Sequence, residues 1–421
     1  MHVLKSISLA ACFLPSLLAA PKKGIYEGDK VYQLEVANET EKKLITDLVN
    51  DHSLKLDPWT DVVVGPVHLH VPAKVDKKVM AKLAAVKKSI YVENLQKVVD
   101  EETAHTLAHQ EQFKSLSMDQ RADTIFTAYQ DADTYLNFLL SKPGAQEISL
   151  GKTYEGRSIR GVKFGTGAKQ IFLNGGIHAR EWVTPAAATY IANYLLGTEA
   201  EAVSLREKFT FHIVPNLNPD GYAYTRKSGG ERMWRKNREP NQGSSCIGTD
   251  PNRNLDSDWG DTNGASSSPC ADDYFGPSAM SSAEAKALGN YLKSLKDVVS
   301  YVDVHSYSQL WMFPLGYKCG VKVPDYADLA QATKLAVAAL KGVNNLDFKN
   351  GPICDTIYQA TGTTADYTYD KLKIKYSFAL ELRPKQSFGT NGFALPPSQI
   401  VAASEETLRG LVAAWNYAYT H

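Results

Sequence analysis

Ile171-Phe172-Leu173-Asn174-Gly175-Gly176-Ile177-His178-Ala179-Arg180-Glu181-Trp182 opens as a short apolar run and breaks at two glycines. An apolar run of this length ended by Gly-Gly reads as a strand entering a turn. His178, Arg180 and Glu181 follow within four residues, and residues 185–196 then read as a helix. Two potential metal ligands, His178 and Glu181, therefore sit just past the carboxyl end of a strand. Open α/β sheets build their sites at that place.

The segments around this stretch continue the same alternation. Residues 134–140 read as a helix stopped by Lys142-Pro143-Gly144, and 147–150 with 159–164 as a hairpin around Tyr154-Glu155-Gly156-Arg157. Apolar runs at 209–214, 298–304 and 374–382 suit buried strands, and 283–295, 326–340 and 398–417 suit helices, the last capped by Ser398. Strands alternating with helices predict an α/β sheet covered on both faces, in one large domain from about 113 to 421. Residues 216–274 show little regular pattern, and irregular stretches of that length are usually functional.

The N-terminal part reads differently. Residues 31–36, 62–71 and 90–92 alternate as strands. Residues 39–49 and 76–88 read as helices capped by Asn38 and Asp76, so a small α/β open sandwich is expected. Asn38-Glu39-Thr40 is a glycosylation sequon. Residues 94–112 are polar and helix-prone, with Glu101, Glu102, Glu111 and Gln112, and predict an exposed connecting helix that a protease could cut. The pairs His68/His70 and His105/His109 have no carboxylate in a ligand arrangement and are expected to be solvated.

Residues 1–20 read as a secretory signal peptide: Lys5, an apolar run from 7 to 18, then Ala19-Ala20. The run is short for a membrane span, and no later stretch is long enough. Lys+Arg and Asp+Glu balance at 46 each, so charge gives no case for nucleic acid or anionic membranes. Of five cysteines, Cys12 lies in the signal. Cys246, Cys270, Cys319 and Cys354 suggest disulfides in an exported chain, with three connectivities open. A zinc site made of all four lacks the usual close ligand pairs.

The H-x-x-E spacing of His178 and Glu181 is common by chance, and a third ligand raises its weight. His305 ends the apolar run at 298–304, in Val302-Asp303-Val304-His305-Ser306-Tyr307, and would enter the same crevice. Two imidazoles and one carboxylate suit a zinc ion with its fourth position open. Asp250 is a reasonable partner for the outer nitrogen of a ligand imidazole.

With these residues in place, three blocks stand out: His178-Ala179-Arg180-Glu181-Trp182, His305-Ser306-Tyr307-Ser308-Gln309 and Phe378-Ala379-Leu380-Glu381-Leu382-Arg383. Together they resemble the signature blocks of secreted zinc carboxypeptidases of the pancreatic A/B type. The resemblance covers roughly 113–421, and residues 22–112 resemble that family's activation propeptide. It implies a mixed, mainly parallel sheet with helices on both faces, preceded by the open-sandwich propeptide. It implies one Zn²⁺ held by His178, Glu181 and His305, with Glu381 as general base and then acid toward a zinc-activated water. The zinc assignment thus rests on the resemblance, with the donor chemistry in support.

By the same resemblance, Arg253 and Asn252 would bind a substrate's C-terminal carboxylate, Tyr358 would close over it, and Arg235 would steady the carbonyl oxygen. Arg180 and Arg232 would be subsite or carboxylate-entry residues, Ser306 and Tyr307 would bind substrate, and Phe393 would line the same cleft. Ala365 falls seven residues after Tyr358, at the base of the side-chain pocket, where an acidic residue would select Lys or Arg. Met312, Gly316, Ile353, Ile357, Ala360 and Ala379 match the other pocket positions and are apolar or small, so aromatic and large aliphatic C-terminal residues are expected. Cys246–Cys270 and Cys319–Cys354 match the family's bridges. The expected protein is a secreted zymogen and a monomer: signal 1–20, propeptide 21–112 and catalytic domain 113–421. Its partners would be peptide C-termini and an activating protease, with no nucleic acid or membrane. An amidohydrolase acting on acylated amino acids and a binding module without catalysis are the alternatives. The Asn252-Arg253 pair weighs against the first, and the presence of all three ligands and Glu381 against the second.

Overall fold

The computed structural model describes residues 24–117, 120–121, 124–386 and 391–421. The expected signal peptide, with Cys12 and the cleavage point near Pro21, lies outside them.

An N-terminal sheet contains β1 (Lys30–Val36), β2 (Asp57–Pro58), β3 (Gly65–Val71) and β4 (Lys87–Val92), all antiparallel in the order β2-β3-β1-β4. Helices α1 (Glu39–Asn50) and α2 (Asp76–Lys82) cover one face. The period-two rule explains the packing. Tyr32, Leu34 and Val36 of β1, with Val67, Leu69 and Val71 of β3, meet Ile45, Leu48 and Val79 of the helices. Asn38 caps α1 as expected, accepting from the Glu41 amide. The helix expected at 76–88 ends at Lys82, because the chain turns there to start β4 at Lys87. Asp76 lies in its first turn, where it accepts from the Tyr32 hydroxyl at 2.7 Å, and Val75 is the capping position. The strand expected from 62 begins at Gly65.

The other face of this sheet is covered by the rest of the chain, which corrects two expectations. His68 and His70 share a strand face as predicted, yet both are buried: His68 Nδ1 lies 2.7 Å from the Tyr307 hydroxyl and His70 Nε2 lies 2.9 Å from Asp29. Helix α3 (Leu95–Ser115) is longer than expected and not simply exposed. It buries Leu95, Val99, Glu102, Thr106 and His109, and Phe113 packs on the large core, so the expected boundary at 112/113 falls inside it. His105 is exposed, as read, but His109, expected to be solvated with it, is buried with its Nε2 3.0 Å from the Thr124 carbonyl oxygen.

The larger unit follows with α4 (Ala132–Leu140), β5 (Gln146–Lys152), β6 (Ser158–Phe164), β7 (Lys169–Asn174), α5 (Val183–Leu195), α6 (Ala200–Lys208), β8 (Phe209–Val214) and α7 (Pro219–Arg226). After a long irregular stretch come α8 (Ala283–Ser294), β9 (Val298–Ser306), β10 (Leu310–Phe313), α9 (Tyr326–Asn344), β11 (Lys349–Pro352), α10 (Ile353–Thr356), α11 (Thr364–Asp370), β12 (Tyr376–Leu382) and α12 (Ile400–Thr420). The sheet order is β11-β10-β12-β9-β7-β8-β6-β5. The pairs β12/β9, β9/β7, β7/β8 and β10/β11 are parallel, and the others antiparallel. Side chains alternate across β7: Ile171 and Leu173 join the core with Ile191 of α5 and Trp415 of α12, while Phe172 meets Leu288 and Leu292 of α8. The mixed sheet thus carries helices on both faces.

β7 pairs with β8 on one side and β9 on the other, so the winding reverses there and leaves a crevice at the strands' carboxyl ends. The irregular segment 216–274 contains one helix that was not expected, α7. Asn218 caps it by accepting from the Gly221 amide, and Pro219 occupies its first turn. Helix α12 starts at Ile400 after a 3₁₀ turn, Pro397–Gln399, so Ser398 lies in the turn and does not cap it. Cys246–Cys270 and Cys319–Cys354 are bonded. Among the described residues no helix is long and apolar enough to cross a membrane.

Candidate metal centre and active site

Past the end of β7 the chain squeezes between two neighbours. A Cβ on Gly175 would stand 2.6 Å from the Thr184 carbonyl oxygen, and Gly176 has φ +65 against Asn216. Only glycine passes there, and the turn delivers His178 and Glu181 into the crevice. His305 comes from the end of β9, and Glu381, its register partner, from the end of β12.

His178 Nδ1 lies 2.8 Å from Glu181 Oε1, His305 Nδ1 lies 3.3 Å from Glu181 Oε2, and the two Nδ1 atoms are 3.2 Å apart. All three side chains are buried. Tetrahedral nitrogen ligands at 2.0–2.1 Å from one ion stand roughly 3.3 Å apart, so the donor set fits zinc in both chemistry and spacing. Each imidazole is backed by a carboxylate at its outer nitrogen. Asp250 Oδ1 is 3.2 Å from His178 Nε2, as the sequence suggested, and Asp303 Oδ2 is 3.0 Å from His305 Nε2. Burial alone would push Glu181 and Asp250 up. The imidazoles facing Glu181, and Arg235 with His178 facing Asp250, outweigh it and hold both well below the usual carboxylate range.

Glu381 lines the same cleft, and its Oε2 has no hydrogen-bond partner among the described residues. Burial pushes its carboxyl up to about 8, with His305 opposing and Glu181 adding to the rise. Arg235, Asn252, Arg253 and Tyr358 line this cleft too. Asp250 Oδ2 holds Arg235 through Nε at 3.0 Å and Nη2 at 2.8 Å. Arg253 donates from Nη1 to the Asn252 carbonyl, has no partner at Nε among the described residues, and sits with its guanidinium 5.9 Å from the Tyr358 ring centre.

The apolar end of the cleft is formed by Met312, Ile353, Ile357, Ala360, Ala365 and Ala379. Ala365 packs with Met312, Ile353 and Ala379. The neighbouring Asp366 is buried, and its carboxylate oxygens accept from the Gly316 amide at 2.9 and 3.0 Å and the Tyr317 amide at 3.2 Å. Gly316 thus holds Asp366 through its backbone amide.

Of the remaining expected residues, Ser306 touches the donor set and the other four lie outside the cleft lining. Ser306 donates its amide to Glu181 Oε2 at 3.2 Å. Arg180, Arg232, Tyr307 and Phe393 meet the N-terminal unit. Arg180 Nη1 donates to Asp57 at 2.9 and 3.1 Å, and Arg232 Nη2 donates to Glu102 at 2.9 Å. Trp59 stacks edge-on against Phe393 with ring centres 5.3 Å apart, and the Tyr26 hydroxyl accepts from the Met233 amide. The sequence reading did not single out Asp303, Asn174 or Thr364. An acid between Val302 and Val304 in an otherwise apolar strand was the available signal, since a buried carboxylate demands partners.

Comparison with known proteins agrees in family. Residues 136–410 match the zinc carboxypeptidase family and residues 32–102 match the carboxypeptidase activation peptide. Carboxypeptidase A2 of Mus musculus is 39% identical over 407 residues, covering 94% of this chain and 95% of that one. Carboxypeptidase A1 of Rattus norvegicus is 35% identical over 408 residues with the same coverage. The crystal structure of thrombin activatable fibrinolysis inhibitor matches with a TM-score of 0.83 at 28% identity, over 94% of this chain and 100% of that one. Carboxypeptidase A from Helicoverpa armigera matches at 0.81 and 28%, over 94% and 98%.

Proposed function

This chain belongs to the zinc carboxypeptidase family, and from that premise we propose that it is a secreted A-type zymogen. Its matured form removes aromatic and large aliphatic residues from peptide C-termini. The supporting observation is one cleft that joins the His178–Glu181–His305 donor set, Glu381, Arg253 and an apolar end lined in part by Ala365.

The residues divide the work as follows. Arg253 and Asn252 take the terminal carboxylate, Arg by paired charge-assisted bonds that suit the planar group. The last side chain enters the apolar end, where a charged one would lie unpaired. Arg235, with Nε and Nη2 held by Asp250, keeps Nη1 for the negative charge that develops on the carbonyl oxygen. Glu381 Oε2 takes the proton of the attacking water and returns it to the leaving nitrogen. A zinc ion held by His178, Glu181 and His305 would supply Lewis acidity and lower the pKa of the attacking water. The matured chain should cleave free-acid peptides and spare their C-terminal amides. Equal cleavage of both, followed by chromatography, would remove the exopeptidase reading.

Ala365→Asp should turn the preference toward C-terminal Lys or Arg, because a carboxylate at the pocket floor pairs with their charge. Specificity constants for peptides ending in Phe and Lys measure this, and an unchanged ratio would mean that Ala365 does not floor the pocket.

The N-terminal unit is proposed as an inhibitory propeptide, with signal 1–20, propeptide 21–112 and catalytic domain 113–421, cut near the end of α3. Asp57 and Glu102 engage Arg180 and Arg232, and Trp59 lies on Phe393, so these expected substrate residues are occupied before any substrate arrives. The uncut chain is expected to be nearly inactive on peptides until the α3 end is cleaved. Peptidase rates before and after limited proteolysis test this, and full activity before cleavage contradicts it.

A further inference from the structure

We propose that Asp303 is a positioning residue for the metal centre. It fixes the His305 imidazole in the tautomer that presents Nδ1 inward and, by the same hydrogen bond, leaves the Asn252 amide free for substrate. The inference rests on the proposed His178–Glu181–His305 site.

Asp303 lies two residues before His305 on β9, so both side chains project from the same face of the strand. It is fully buried. Its Oδ1 accepts from Asn174 Nδ2 at 2.6 Å, and its Oδ2 accepts from Thr364 Oγ1 at 2.6 Å and lies 3.0 Å from His305 Nε2. The Asn174 amide is held in this orientation because its Oδ1 accepts from the Tyr301 hydroxyl at 2.7 Å. Asp303 therefore faces donors on every side, and an acceptor-only group satisfies them all.

A second group competes for His305 Nε2. Asn252 Nδ2 stands 3.2 Å away, and it cannot exchange places with its own oxygen, because Oδ1 accepts the Thr364 amide at 2.8 Å. An amide donor beside Nε2 favours a ring protonated on Nδ1. That is the atom facing His178 Nδ1 and Glu181, and a protonated Nδ1 has no lone pair to give a metal. Asp303 pulls the other way. A hydrogen bond to a carboxylate is roughly twice as strong as a neutral one, so the proton stays on Nε2. Nδ1 then offers its lone pair inward, and the Asn252 hydrogens remain available beside Arg253. Thr364 completes the link, since it holds Asp303 and precedes Ala365 of the side-chain pocket.

The test uses matured enzyme carrying Asp303→Asn, which keeps the shape but turns an amide NH₂ either toward Asn174 or toward both Thr364 and His305. Asp303→Ser is read in its place if the first variant does not fold. Zinc affinity is measured by competition with a chelating indicator, and the cobalt-substituted forms are compared by visible absorption. The expected result is about 10–100-fold weaker zinc binding, an altered cobalt spectrum, and activity that returns in excess zinc. Wild-type zinc affinity with an unchanged cobalt spectrum would overturn the proposal. His178→Ala serves as the control. If it keeps wild-type zinc affinity, the metal-site reading itself fails; if it loses zinc while Asp303→Asn does not, only the positioning role fails.

Discussion

Glu381→Gln is expected to lower kcat by about 10²–10⁴-fold while zinc content stays at the wild-type level. Glutamine keeps the volume at the end of β12 and the packing beside His305, but it cannot take a proton. The metal donors are His178, Glu181 and His305, so the metal should be held as before. Turnover on an N-blocked dipeptide ending in Phe, measured beside metal analysis of the same sample, gives both numbers. Near-normal turnover would remove Glu381 from the proton transfer. Loss of zinc together with activity would mean that Glu381 helps to hold the ion.

Arg253→Met is the second large effect. Removing one partner of a desolvated charge pair costs about 2–5 kcal/mol, or roughly 30- to 5,000-fold in kcat/KM for free-acid peptides. The side chain is buried, and its Nε has no partner among the described residues, which is the condition of a guanidinium waiting for an anion. Methionine fills similar space without charge. The loss should fall on substrates with a free carboxylate and leave the slow cleavage of amidated peptides where it was. A loss under about threefold would place carboxylate recognition on another group, with Arg235 the nearest candidate.

Much of the site was legible because it lies at strand ends. The apolar run before Gly175-Gly176, and those that carry His305 and Glu381, each read as a buried strand followed by a polar group. In an open α/β sheet such ends converge. The ligand set, the arginines and the pocket residues came with the resemblance, and the fold then supplied the distances between them. What was not legible depended on docking between distant segments. His68 and His70 alternate with apolar residues, as they would on a solvent face, but that face of β3 is pressed on Tyr307 and its neighbours. Glu102 looked like one more charge on a polar helix until Arg232 met it from 130 residues away. Asp303 sits in an apolar run whose pattern signals only a buried strand, and its three donors come from β7, α11 and His305. The end of α2 at Lys82 is a different failure: the polar and apolar spacing continues past it, and the sheet's demand for β4 decides.

The most direct measurement follows amino acid release by the proteolytically matured protein from N-blocked dipeptides ending in Phe, Leu, Lys or Glu, with and without a zinc chelator. Release of Phe and Leu that stops with the chelator and returns with added zinc is the predicted result. Release that persists when the metal has been shown to be gone, or no release from a chain that holds zinc, would contradict the claim that this chain is a zinc-dependent carboxypeptidase of the A type.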